Sequence, residues 1–228
     1  MSIKPSLFAL VACLYASTTQ ALPTLIDFED LAQRDGADQL VVTTADNEVS
    51  FTTSTRALIA TTGGRRAQGF VGGRGRMDMP RNADFGRRFL TDETALRRGL
   101  DGSGDYFMSF QRGITSLSLE AADYRADGGG RVGDVITLSV YADLAMTDLI
   151  AQVSQTIVRG LRDGFVRTFM ISDFSRPAFA AALTHSGRDV GTGIDNVRFT
   201  SVPEPGTLGL LGLGLLGLAL VKRNVRRR

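Results

Sequence analysis

Short stretches in which apolar and polar residues alternate occupy most of the chain between residues 25 and 200. A period of two combined with β-branched residues is typical of β-strands that bury one face. The pattern is clearest in the second half, where Gly, Asp and Asn separate the stretches. There it predicts strands at Tyr106–Phe110, Ile114–Glu120, Val135–Tyr141, Leu149–Val158, Phe165–Ile171, Ala178–Leu183 and Ile194–Phe199.

The first half has shorter β-branched segments separated by turn residues. Residues 62–104 lose the periodicity and are rich in Gly and Arg. A structureless loop of that length is uncommon inside a compact domain, so short strands are also expected within it. The strands predicted in this half are Leu25–Glu29, Gln39–Thr44, Asn47–Thr53, Arg56–Thr61, Gln68–Val71 and Arg88–Leu90.

Helical patterns are almost absent. Only Asp148–Arg162 competes as a helix, and its content of Val, Thr and Ile favours a strand. Many short strands without an exact internal repeat predict an all-β domain, an antiparallel β-sandwich, over residues 22–200.

The amino-terminal segment has the features of a secretory signal peptide. Lys4 precedes an apolar run at Leu7–Ala16, and small residues precede a cleavage point after Ala21. An alternative is a bacterial lipobox at residues 10–13, which would make Cys13 a lipidated amino terminus. Cleavage after Ala21 predicts residues 1–21 as the signal and removes the only cysteine, so the exported domain would have no disulfide.

The carboxyl-terminal segment combines a Pro-rich motif, an uncharged run and a basic end. A helix over residues 206–221 would be about 24 Å long against a hydrocarbon core of about 30 Å, and flanking cations extend its reach. Cations after the run predict a cytoplasmic carboxyl terminus and an exported upstream domain. A buried core helix and a permanent anchor behind an ordinary linker are the alternatives. The predicted membrane stop comprises Lys222, Arg223, Arg226, Arg227 and Arg228.

This order of elements resembles the PEP-CTERM sorting signal over residues 201–228. The motif itself is Val202, Pro203, Glu204 and Pro205, and its prolines keep the backbone extended. The resemblance implies recognition by exosortase, a membrane-embedded transpeptidase-like enzyme. It also implies a transient inner-membrane intermediate, followed by removal of the tail and delivery to the cell surface or exopolysaccharide matrix.

Residues 114–124, 134–143 and 193–199 resemble the jelly-roll domains common ahead of such tails. Those domains are similar to galactose-binding-like carbohydrate-binding modules, in which a structural Ca²⁺ often lies between acids on the first and last strands. Glu29 and Asp195 match those positions, and oxygen ligands suit this cation. The alternative is that each acid faces solvent or pairs with arginine. No other cofactor is expected.

Charge is unevenly distributed along the exported part. Without the signal and tail, residues 22–205 have 20 basic and 24 acidic side chains, a net charge of −4, whereas residues 56–98 have ten arginines and four acids. Guanidinium groups pair well with carboxylates and sulfates, so Arg65, Arg66, Arg74 and Arg76 are candidates for binding an acidic polysaccharide. A solvated arginine-rich loop is the alternative. Nucleic acid is not expected, because few aromatic residues accompany the arginines.

Catalytic signatures are sparse. The single histidine, His185, follows an apolar strand and is expected in an exposed turn, and the chain has neither a nucleophile elbow nor a phosphate-binding loop. Residues 127–134 are expected to form a hairpin loop. The sequence therefore predicts a non-enzymatic surface or matrix protein with weak carbohydrate binding. A glycan-modifying enzyme and a purely structural or adhesive module are the alternatives, and the absence of Trp favours weak sugar binding at most.

Overall fold

The computed structural model describes residues 22–31, 36–54, 56–61, 71–72, 76–77, 88–92, 105–122, 133–158, 166–186 and 193–203. Within these ranges the regular structure consists of β-strands alone. Residues Leu22–Val202 form one compact unit. The strands are β1 Pro23–Ile26, β2 Gly36–Ala37, β3 Leu40–Thr43, β4 Glu48–Thr53, β5 Ala57–Thr61, β6 Val71–Gly72, β7 Arg76–Met77, β8 Arg88–Asp92, β9 Tyr106–Ala122, β10 Val135–Tyr141, β11 Leu149–Thr156, β12 Val166–Ile171, β13 Ala178–His185 and β14 Gly193–Ser201.

Strand β9 belongs to both layers of the fold. Its first half pairs with β4 and β13, and its second half pairs with β12 and β14. One layer therefore has the order β3-β4-β9-β13-β10-β11, and the other contains β12-β9-β14. Along the free side of β14, β1 pairs with the carboxyl-terminal half and β8 with the amino-terminal half, after which β5 and β2 follow. All pairings are antiparallel, which confirms the predicted all-β antiparallel sandwich.

The two halves of β9 bury opposite parities of their sequence. Tyr106, Met108 and Phe110 are buried in the first half, whereas Leu117 and Leu119 are buried in the second. The ladders to β13 and β14 both shift register near residue 114, as expected where a bulge adds a residue to one strand. The sequence predicted two strands here, because the alternation is interrupted at this bend.

Gly113 is required at the bend of β9. A Cβ atom at this position would lie 2.7 Å from Cβ of Pro177 and 3.1 Å from the ring of Phe179. No ordinary side chain tolerates such a contact, so the close approach of the segment before β13 depends on glycine.

The core between the layers is mainly aliphatic and aromatic. Phe110 and Phe199 come from opposite layers and meet edge to face, with ring centroids 5.4 Å apart. Complete burial of one such side chain contributes about 1.5–3 kcal/mol. The largest fully buried side chains are Tyr106, Phe51, Phe89, Phe110, Phe169, Phe199, Ile59, Leu90, Met108, Ile114 and Leu117.

One sequence prediction is corrected by the observed strands, and another is confirmed. The first strand ends at Ile26 instead of Glu29, because Phe28 adopts a positive φ of 56° and starts a turn. Its ring is buried against Phe51, with centroids 5.3 Å apart, and this packing holds the turn in place. Residues 149–156 of the segment with helical potential form strand β11, so the strand interpretation is confirmed there.

Candidate functional site

The folded domain ends directly at the predicted sorting motif. Ser201 is the last residue of β14 and is 5% exposed. The backbone N–H of Val202 donates to the carbonyl oxygen of Gly113 at 2.8 Å. Pro203 is exposed and is the last described residue. The first residue of the motif is therefore tied to the bend of β9, and the second is accessible.

Asn47 connects this end of β14 to two other parts of the chain. Its Nδ2 donates to the carbonyl oxygen of Arg112 at 2.9 Å and to the hydroxyl of Ser201 at 3.2 Å. Its Oδ1 accepts the N–H of Arg112 at 2.9 Å. Asn47 is 4% exposed, and Thr44 fixes the turn that carries it through reciprocal hydrogen bonds. One buried amide thus joins the β3–β4 turn, the bend of β9 and the end of β14.

The beginning of the described chain lies at the same end of the sandwich. Pro23 in β1 pairs with Thr200 in β14, and the Thr24 hydroxyl donates to Oδ2 of Asp46 at 3.1 Å. We call this region the exit end; it comprises Pro23–Thr24, Asp46–Asn47, Arg112–Gly113 and 201–203. In the sequence, the predicted cleavage point after Ala21 lies two residues before Pro23, and Glu204 directly follows Pro203.

Glu29 lies in the turn after β1 and is engaged by Arg88. Oε1 of Glu29 accepts the backbone N–H of Arg88 at 2.9 Å. The Arg88 Nη1 donates to the carbonyl oxygen of Glu29 at 2.7 Å and also to that of Leu31. A divalent cation bound by the Glu29 carboxylate would have to compete with the Arg88 backbone N–H for Oε1. At the carbonyl oxygens of this turn it would have to compete with the Arg88 guanidinium.

Asp195 is completely buried in β14, at a point where the ladder to β9 shifts register. Its Oδ1 accepts the N–H of Asn196 at 2.8 Å, and Asn196 has a positive φ of 50°. The Asn196 amide donates to Oε2 of Glu120 at 3.1 Å. Asp195 therefore stabilises a bulge in β14. Asn196 is well suited to this bulge because asparagine tolerates a positive φ.

The last pair of the β1–β14 ladder is formed by Ile26 and Val197. Glu29 and Asp195 both lie just beyond this pair. Within the ranges that the structure describes, no three His, Cys, Asp or Glu residues are grouped to hold a metal ion. The residues present therefore offer a pair of acids and an arginine, and the calcium assignment stays a prediction.

His185 is not in an exposed turn, contrary to the expectation from sequence. It is the last residue of β13, and its side chain has no exposed surface. Its ring Nε2 lies 3.9 Å from Oδ2 of Asp134, and its backbone N–H donates to Oδ1 of Asp105 at 2.9 Å. Burial lowers the pKa of His185, and the negative charges of Asp134 and Asp105 partly offset this effect. The side chain is therefore inaccessible to a substrate in this conformation.

Several predicted sites fall wholly or partly outside the described residues. Arg65, Arg66 and Arg74 lie outside them, and Arg76 is the first residue of β7. Ala21, Cys13, Glu204, Pro205 and residues 206–228 also lie outside. In the part of the chain that the structure describes, there is no helix long and apolar enough to cross a membrane.

These observations define an all-β domain whose last strand leads straight into an exposed Pro-containing junction. Residues 201–227 match the family model described as the PEP-CTERM protein-sorting motif. The chain is thus similar, over its carboxyl-terminal segment, to exported proteins that are sorted by this motif. No curated protein sequence matches the chain.

Several solved structures are similar over most of the chain. The K1 cleaved adhesin domain of Lys-gingipain from Porphyromonas gingivalis W83 has 11% sequence identity and a TM-score of 0.46, covering 80% of this chain and 99% of that chain. A family 6 carbohydrate-binding module has 10% identity and a TM-score of 0.29, covering 78% and 94%. The xylan-binding module CBM15 has 8% identity and a TM-score of 0.33, covering 81% and 99%. The fold assignment rests on the strand pairing of this chain, independently of these similarities.

Proposed function

We propose that this protein is an exosortase substrate that passes through the inner membrane and is released to the cell surface or exopolysaccharide matrix. The observation that carries the proposal is the coincidence of two boundaries. The sorting-motif match begins at residue 201, which is also the last residue of β14. The motif therefore begins where the compact domain ends, as a processing site must.

Co-production with and without an exosortase tests this proposal. A chain with an epitope tag after Arg228 should lose the tag only when the enzyme is present. Glu204→Ala should retain the tag, whereas Glu48→Ala, which removes an exposed glutamate outside the motif, should behave like the wild type. Retention of the tag by the wild type in the presence of an active exosortase would favour a permanent anchor.

For the exported domain, we propose a non-enzymatic role with weak binding of extracellular polysaccharide. The burial of His185 supports the absence of general-base chemistry at that residue, because its ring has no exposed surface. The arginine-rich segment 56–98 supports an acidic glycan as the ligand, since guanidinium groups bind carboxylates in a bidentate manner.

Purified residues 22–203 should be retained by an acidic polysaccharide at low salt and released as the salt concentration rises. Substitution of Arg65, Arg66, Arg74 and Arg76 by serine should abolish the retention, and substitution of Arg176 and Arg198, two exposed arginines outside segment 56–98, provides a charge control. Conversion of the polysaccharide to shorter products would instead identify a glycan-modifying enzyme. No binding to any glycan would favour a structural or adhesive module.

A structural Ca²⁺ bound by Glu29 and Asp195 is a separate proposal. Binding to the native state alone would raise the melting temperature with calcium concentration. Chelation should reverse the increase, and Glu29→Gln should abolish the response while retaining a side chain of similar shape. A melting temperature that does not change with calcium or chelator would contradict this proposal. The Arg88 guanidinium would then be the positive group that stabilises the turn after β1.

A further inference from the structure

We infer that the folded domain restricts access to its own sorting motif, and that Asn47 is the positioning residue that sets this restriction. The inference rests on the proposed function. It states that the sorting enzyme gains full access to residues on the amino side of Glu204 only when the end of β14 opens. No active-site chemistry is assigned to Asn47.

Few free residues precede Glu204 in the chain. Ser201 is buried, and the Val202 amide is bonded to Gly113, so only Pro203 separates the tied chain from the glutamate. Enzymes that cut or transfer a peptide act on accessible chain, and folded segments are attacked through local opening. A backbone that is already paired with β9 cannot at the same time pair with an enzyme subsite.

Only a short stretch of chain separates the domain from the predicted membrane span. Four Cα–Cα steps separate Val202 from Gly206, so the two residues are at most about 15 Å apart, whatever the conformation between them. Few residues are therefore available to an enzyme between the tied end of β14 and the predicted membrane span.

The side chain of Asn47 holds this end of β14 closed. This side chain bonds both to Ser201 and to the bend of β9. Loss of its amide would remove the hydrogen bond to the Ser201 hydroxyl and both bonds to the Arg112 backbone. The last residues of β14 would then open more often, although the rest of the strand keeps its pairing.

The test measures how fast the full chain loses its tail in cells that contain an active exosortase. Asn47→Ala should accelerate tail removal about five- to thirty-fold, because the open population rises by that factor. Insertion of six Gly/Ser residues between Val202 and Pro203 should accelerate it at least as much. In the chain with the insertion, Asn47→Ala should have no further effect, because the motif is already free.

A control separates local opening from general destabilisation. Ile136→Val alters the buried core beside His185, away from the exit end. It is compared with Asn47→Ala under conditions in which the two variants have the same free energy of unfolding. It should leave the rate of tail removal unchanged. Amide exchange at Val202 provides an independent readout, and it should accelerate in Asn47→Ala but not in Ile136→Val.

The outcomes distinguish the two proposals. If no variant loses its tail, even with the insertion, exosortase processing is wrong and the inference is overturned with it. If the wild type, Asn47→Ala and the insertion lose the tail at equal rates, processing is supported and the inference is overturned. Acceleration by Ile136→Val to the same extent would also overturn it, because global unfolding would then be the route of access.

Discussion

The exit end and the β10–β11 hairpin each depend on one polar side chain. The two side chains differ in how far along the sequence their hydrogen-bond partners lie. In the hairpin, Asp143 accepts the N–H groups of Thr147 and Asp148 at 3.0 and 2.8 Å, so its partners are at most five residues away. The Thr147 hydroxyl donates as well and lowers the pKa of Asp143. At the exit end, Asn47 bonds to residues 65 and 154 positions away.

This difference determines what each region contributes to the domain. The hairpin closes a short loop locally, and its bonds can form before the rest of the sheet is complete. The bonds of Asn47 form only after β4, β9 and β14 have been assembled. They therefore depend on the tertiary structure. A long-range polar contact therefore couples the sorting junction to the folded state, whereas a local contact such as that of Asp143 does not.

The largest effect is expected from the core beneath the exit end. Phe110→Ala removes a buried ring and its contact with Phe199, and should lower the free energy of unfolding by about 3–5 kcal/mol. Urea denaturation of residues 22–203 measures this change. A loss below about 1 kcal/mol would mean that the two layers do not meet at these rings.

A smaller loss is expected when the polar connection of the exit end is removed. Asn47→Ala leaves the backbone groups of Arg112 without their partner and should cost about 1–3 kcal/mol. Asn47→Asp preserves an acceptor for the Arg112 N–H but loses the Nδ2 donor, so it should fall between the wild type and Asn47→Ala. Equal stability of all three proteins would contradict the role of this amide.

The effect of pH extends the comparison to the opposite end of the sandwich. Because burial keeps the pKa of His185 below that of an ordinary histidine, about 6.5, the unfolded chain binds more protons in this range. Stability should therefore be complete above about pH 6.5 and decrease as the pH falls below it. In His185→Gln, the free energy of unfolding should no longer have this part of its pH dependence, as measured by denaturation curves at several pH values. The same pH dependence in the variant and the wild type would contradict the effect of burial.

The smallest effect is expected from Asp143→Ala. The loop is exposed and its bonds are local, so the hairpin strands should remain paired through their backbone ladder. Amide exchange should accelerate at Thr147 and Asp148 while Val202 keeps its protection. A loss of protection at Val202 as well would show that the two regions are not independent.

The same distinction explains how much of the structure the sequence predicted. Strand β10 has the predicted bounds, Val135–Tyr141, because its alternation and the turn residues beside it are local signals. The all-β class follows from the same kind of signal, repeated along the chain. The sorting motif is likewise local, and the family-model match at residues 201–227 confirms that resemblance.

Features that depend on distant partners were not predictable in this way. Asn47 was predicted only as the first residue of a short strand, and nothing in the sequence around Arg112 or Ser201 indicates the contact that they make with it. The burial of His185 depends on Asp105 and Asp134, which come from other parts of the chain. Arg88 was predicted to begin a short strand and to belong to the arginine-rich segment, but its hydrogen bonds to the turn after β1 were not predicted.

The antiparallel pairing of Pro23 with Thr200 has a practical consequence for measurements on this protein. A sensor surface or an affinity tag attached at either end of purified residues 22–203 holds the domain from the same side. Moving the tag to the other end therefore leaves the same face exposed. A glycan that binds near the junction would be masked in both formats, whereas one that binds near Gly133 or Ser186 would be detected in both.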